Sequence, residues 1–228
     1  MNYDRTACAP KLCLVPILIG LLQAGCTEVV EDPDVIHPPS YQPTNIYRPQ
    51  AFLPENIRRV AVLPITNHPG DGVADTSRER LAPLVLAELG KTKAFECLPM
   101  APEQLKLATG RLTLTAEEPL PPKLLQEMSR TWGCDAILFC RLTTYKPYPP
   151  LSVGWSFKLV SCADARILWS ADEILDAGEV RVAAGARRYY LANLQHQPRL
   201  SDSRQILNTP DWFTRYALYT LFATLPAR

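Results

Sequence analysis

An almost unbroken apolar run, Val60-Ala61-Val62-Leu63-Pro64-Ile65, follows Arg58 and Arg59. A strand that keeps polar residues off both of its faces has to be buried on both, which places it inside a parallel or mixed sheet with helices on either side. We read it as the first, central strand of an α/β domain. Asn67-His68-Pro69-Gly70-Asp71-Gly72 after it is a loop, because glycine, proline and aspartate cluster there.

The rest of the pattern supplies the cover and the other strands. Leu81, Leu84, Val85 and Leu89 recur at helical spacing. Ser77 is a candidate cap, Gly90 a stop, and Pro83 predicts a helix that starts near Ala82 or kinks there. Phe95 to Leu98 reads as a second strand, and Pro102 to Ala108 as a weak helix. Leu124, Leu125, Met128 and Trp132 form a clearer helical stripe ended by Gly133.

From Ala136 to Asp176 the period becomes two. Ala136–Leu142 and Val153–Leu159 make a hairpin around Pro147, Pro149 and Pro150, and Ile167-Leu168-Trp169 begins the third strand of a meander. With Tyr145 and Ser152 flanking the loop, paired residue numbers sum to 297, so Asp135 faces Cys162. Glu179 to Leu194 reads as a helix with Arg181, Arg187 and Arg188 on a solvated face. Thr209-Pro210-Asp211 is a helix start, and the apolar residues around the following turns predict a helix within the core. The fold class is thus α/β: a mixed five-stranded sheet, β-α-β-α-β then an antiparallel meander, with a C-terminal core helix.

Ahead of this domain, Arg5 and Lys11, the apolar run Leu12 to Leu22, and Ala24-Gly25 before Cys26 follow the order of a secretory signal. The apolar run is too short for the roughly 20 residues of a spanning helix. Leu21-Leu22-Gln23-Ala24-Gly25-Cys26 looks like a bacterial lipoprotein processing site, with Gln23 where a leucine is usual. The expected organisation is residues 1–25 as signal peptide, 26–56 as a proline-rich tether, and 57–228 as one α/β domain. Cys26 would carry palmitate and other lipid, and Thr27 after it, rather than aspartate, suggests the outer membrane by resemblance to sorting in enteric bacteria.

Charge and cysteines narrow the function classes. The 24 basic and 23 acidic side chains fall by two and by one when residues 1–25 are set aside. The remainder is formally neutral, which gives nucleic-acid binding no support. Cys97, Cys134, Cys140 and Cys162 have no metal-ligand spacing. They read as small buried hydrophobes, although the hairpin register makes a Cys134–Cys162 bridge geometrically feasible. Cys97 and Cys140 are separated by the central strand, beyond disulfide reach.

Val60-Ala61-Val62-Leu63-Pro64, Cys134-Asp135-Ala136-Ile137-Leu138, and Leu159-Val160 through Asp164 to Leu168-Trp169 resemble the small α/β domain of curli-assembly lipoproteins, lipoprotein activators of penicillin-binding proteins and the amino end of TolB. The resemblance spans residues 58–176. It implies the sheet order second, first, third, fourth, fifth strand, and interaction or assembly roles without catalytic residues. Relatives usually carry a glycine in the last turn, where Ala165-Arg166 stands here.

The expectation is a non-enzymatic, membrane-anchored periplasmic lipoprotein that binds another cell-envelope protein, with no cofactor or metal. The alternatives are a subunit of an oligomeric outer-membrane secretion complex and a metal-dependent envelope enzyme using His68, Asp71 and Asp75. The partner site is expected at the carboxyl ends of the first and third strands, a switch point where open α/β sheets form a crevice. Asn67, His68, Asp71 and Asp75 would contribute from one loop, Tyr145 and Tyr148 from the proline-stiffened hairpin end.

Overall fold

The computed structural model describes residues 41–67, 75–118, 122–194 and 202–228. The leader, Cys26, His68 and Asp71 lie outside them. Strands β1 (Ile46–Tyr47), β2 (Arg59–Val62), β3 (Glu96–Pro99), β4 (Ala136–Lys146), β5 (Ser152–Ser161) and β6 (Ile167–Asp176) form one sheet in the order β1-β6-β5-β4-β2-β3. β2 is parallel to β3 and β4, and β4, β5 and β6 form an antiparallel meander. Apart from β1, the order is the one the resemblance implies.

β2 is buried on both sides, as its composition demands. Val60 and Val62 join one core cluster while Ala61 and Leu63 join another on the opposite face. The larger cluster is closed by α1 (Asp75–Lys91), α4 (Val180–Asn193) and α5 (Pro210–Phe222), with a 3-10 turn at Ser203–Asn208. The smaller is closed by α2 (Pro102–Thr109), α3 (Pro122–Trp132) and Leu114. The expected core helix is α5, whose Phe213, Tyr216, Ala217, Leu218, Leu221 and Phe222 are all buried.

Five local readings need correction. The sheet has six strands, because Ile46–Tyr47, inside the stretch read as tether, pairs with Ala171 and Ser170 on β6. Two residues flanked by prolines carry no period, so nothing in their pattern announces a strand. α1 begins at Asp75 rather than near Ala82 and contains Pro83; Pro83 is exposed, where water can satisfy the carbonyl freed by its missing N–H. The helix also continues past Gly90 to Lys91. Thr209 does not cap α5 with its hydroxyl, which donates back to the Gln205 carbonyl at 2.9 Å. Arg187, read as part of a solvated face, is only 7% exposed. Burial, with Arg204 nearby, holds its guanidinium below the usual range.

The hairpin register sums to 297 from Ala136↔Ser161 to Leu142↔Trp155. A bulge between Leu142 and Thr144 then advances it by one, giving Tyr145↔Val153. Asp135 faces Cys162 as expected, its carbonyl accepting the Cys162 N–H at 2.9 Å.

Candidate functional site

The chain after β2 stays beside β4, since the Thr66 N–H donates to the Cys140 carbonyl and the Leu142 N–H to the Thr66 carbonyl, each at 2.9 Å. Asn67 therefore leaves from the switch point between β2 and β4, and Asp75 opens α1. The two tyrosines expected to act together diverge. The bulge turns Tyr145 toward the face covered by α1, α4 and α5, where it packs against the larger core. Burial raises its phenol, with Arg80 opposing the shift and Asp211 adding to it; Arg80 and Asp211 are themselves paired at 2.8 Å. Tyr148 stands outside on the loop, 73% exposed.

That loop is braced. Leu151 is buried, and its carbonyl accepts the Ala177 N–H at 2.7 Å. Pro150 lies against Gly178, where a Cβ would come within 3.7 Å of its ring. The Gly178 N–H donates to the Asp176 carboxylate at 2.7 Å. The exposed aromatic at the hairpin end is thus carried on backbone fixed from both sides.

A cleft elsewhere on the domain was not anticipated from the sequence. Between α4, α5 and the segment Tyr41–Arg48 lies a cleft of about 920 Å³, toward the upper end of the range for ligand pockets. Tyr189 packs against Tyr216 and Tyr219 with ring centroids 5.9 and 5.0 Å apart. Gly185 makes room for the Tyr216 phenol, since a Cβ there would lie 2.2 Å from its oxygen. Burial raises the Tyr216 phenol to about 12 and those of Tyr41 and Tyr189 further. The i, i+3 pair Tyr216 and Tyr219 was the available signal, and on a helix with apolar residues around most of its turns it reads simply as core.

The wall made by Tyr41–Arg48 is pinned by one carboxylate. Glu173 on β6 accepts from the Tyr41 hydroxyl at 3.1 Å, the Thr44 hydroxyl at 3.1 Å, the Asn45 N–H at 2.8 Å and the Thr44 N–H. A separate buried carboxylate, Glu88 on α1, bonds Lys91 and Arg215, each at 2.7 Å, and Arg215 lies over the Trp212 ring at 5.5 Å. Both carboxylates serve as fastenings between elements, with their oxygens occupied by donors. Among the described residues, no group of three or more His, Cys, Asp or Glu is arranged to hold a metal ion. No described helix is long and apolar enough to cross a membrane.

No protein-family model and no curated protein matches the chain. Solved structures do. The PelC dodecamer from Paraburkholderia phytofirmans is 13% identical with a TM-score of 0.46, over 80% of this chain and 98% of that one. The lipoprotein GNA1162 from Neisseria meningitidis is 20% identical at 0.37, over 60% and 99%. TolB from Acinetobacter baumannii is 14% identical at 0.30, over 65% of this chain and 31% of that one. Likeness at this level says nothing about activity or partner. The chain's solved neighbours nevertheless include members of the periplasmic-lipoprotein group that its sequence resembles.

Proposed function

We propose that this chain is a non-enzymatic cell-envelope lipoprotein, anchored in the outer membrane through lipid on Cys26, whose domain binds another envelope protein at the hairpin end of its sheet. The leader sequence supports the anchor. The observation that carries the binding reading is Tyr148, an aromatic side chain held in solvent on a proline-rich loop whose backbone is fixed by Leu151, Ala177 and Gly178. A rigidly presented tyrosine buries large area on contact and loses little conformational entropy, which is how interface anchors act. On the sequence reading, the proposed surface also takes in Asn67, His68, Asp71 and Asp75.

The test places a photo-crosslinking residue at position 148 and, as control, at Leu107 on α2, on the other face of the sheet. Irradiated cells are expected to give one discrete envelope-protein adduct from 148 and none from 107. Introducing Tyr148→Ala beside a crosslinker at Pro147 should weaken capture by about 2 kcal/mol, the size of a hot-spot truncation. Equal adducts from both positions, or an alanine variant that captures as well as wild type, would refute the site.

A further inference from the structure

We propose that Cys134 and Cys162, with the thioether of Met128, form a buried three-sulfur site for one soft monovalent metal ion of the Cu(I) class. The two thiols are 28 positions apart in the chain, so no ligand spacing announces them. The start of β4 and the end of β5 bring them together. Each is fixed by its neighbours: the Ser129 hydroxyl donates to the Cys134 carbonyl at 2.7 Å, and the Cys162 N–H donates to the Asp135 carbonyl at 2.9 Å.

Both sulfurs are buried and lie 3.9 Å apart. Two thiolates each bonded to one ion at roughly 2.3 Å have that separation when the angle at the ion is about 116°. A linear pair would need about 4.6 Å, and a disulfide about 2.05 Å. The separation found therefore suits a bent bridge, which leaves a third position open in the same plane. Packing alone also brings sulfurs into contact, and what distinguishes this contact is its surroundings. Met128 is buried in the same core cluster with its carbonyl oxygen 3.8 Å from Cys134 Sγ, and Met100 packs against that cluster. These are the two methionines that follow Met1.

The donor set selects the ion. Thiolate and thioether sulfur favour Cu(I). The nearby Asp135 carboxylate is engaged elsewhere, accepting the Arg58 and Arg59 N–H groups at 2.9 and 2.8 Å. Among the described residues no third His, Cys, Asp or Glu joins the pair, so zinc, which takes four ligands in a closed site, is not satisfied. Entry is short, since Gly133 and Ala163, the chain neighbours of the two thiols, are exposed. On binding, each thiol releases its proton to solvent as its sulfur bonds the ion; two protons leave and no electron moves. The complex carries one net negative charge. Arg59, whose guanidinium donates to the Gly133 carbonyl at 3.0 Å and pairs with Glu96 at 3.2 Å, is a cation beside it.

The experiment titrates Cu(I) anaerobically, against a chromophoric chelator, into the full chain carrying Cys8→Ser, Cys13→Ser and Cys26→Ser, so that Cys97, Cys134, Cys140 and Cys162 are its thiols. One ion per chain is expected, with an X-ray absorption shell of three sulfurs at roughly 2.3 Å. Cys134→Ser and Cys162→Ser should each weaken binding by about 100-fold or more, and Met128→Leu by about ten-fold with the shell falling to two sulfurs. Replacing Cys97 and Cys140 together by serine should leave the affinity unchanged. The absorption shell is read on the intact trio, so a variant that fails to fold does not remove the test. No stoichiometric ion, nitrogen or oxygen in the shell, undiminished affinity in Cys162→Ser or Met128→Leu, or Zn(II) held as tightly as Cu(I) each overturn the site.

Discussion

Ala165 sits in the turn between β5 and β6 with φ at +58°, a left-handed conformation that a Cβ disfavours by roughly 1–2 kcal/mol. Its N–H donates to the Ser161 carbonyl at 3.0 Å, and the Ser161 N–H to that of Arg166 at 2.9 Å, so the turn holds the residue there. Relatives named by the sequence resemblance usually carry glycine in this turn. Ala165→Gly is therefore expected to stabilise the domain by about 0.5–1 kcal/mol after the entropic cost of glycine in the unfolded chain, as denaturant melting would register. Unchanged or lower stability would show that the turn bears no strain.

The cysteines make the second case at this scale. Cys134 and Cys162 are free and buried with sulfurs 3.9 Å apart. Hydrogen bonding from Cys162 holds the Cys134 thiol below its ordinary range and pushes that of Cys162 up. Oxidised glutathione, whose disulfide takes up the two electrons and two protons to leave as two glutathione thiols, should join this pair and leave Cys97 and Cys140 alkylatable. The crosslink should raise stability by about 3 kcal/mol. Finding Cys134 and Cys162 both alkylated after oxidation contradicts the prediction. Sequence alone put these two side by side through the hairpin register, but it held no information on whether the thiols meet.

Among elements, those with a long period were readable and those without were not. β2, α3, the β4–β5 hairpin and α5 each carry enough repeating apolar positions to declare their type. β1 has two residues, and what makes it a strand is remote: Glu173, well over a hundred positions away in the chain, gathers the donors of Tyr41, Thr44 and Asn45. Glu173→Ala should release that wall and lower stability by about 1–3 kcal/mol, the range for losing charge-assisted hydrogen bonds. Amide exchange gives a local reading. The Asp172 N–H, which donates to Asn45 at 3.1 Å, should exchange faster while the β4–β5 ladder is unchanged. Uniform acceleration, or none, would mean that Glu173 does not pin the segment.

For the molecule as a whole, a doubly covered sheet followed from one apolar run, and the neighbour relations of five strands followed from resemblance. The sites followed less well. Tyr148 was visible because proline marks an exposed loop, whereas Tyr145 reverses direction at a bulge that adds one residue to the register. The tyrosine cleft is built from three separate stretches, Tyr41–Arg48, α4 and α5; each looks like core or linker by itself.

Metabolic labelling with a tagged fatty acid tests the lipid anchor proposed at Cys26. Wild-type protein is expected to carry the label, begin at Cys26 and fractionate with outer membranes, while Cys26→Ala is unlabelled and either unprocessed or released. Equal labelling of the two proteins, or an unlabelled wild type with its leader intact, would rule out lipid on Cys26.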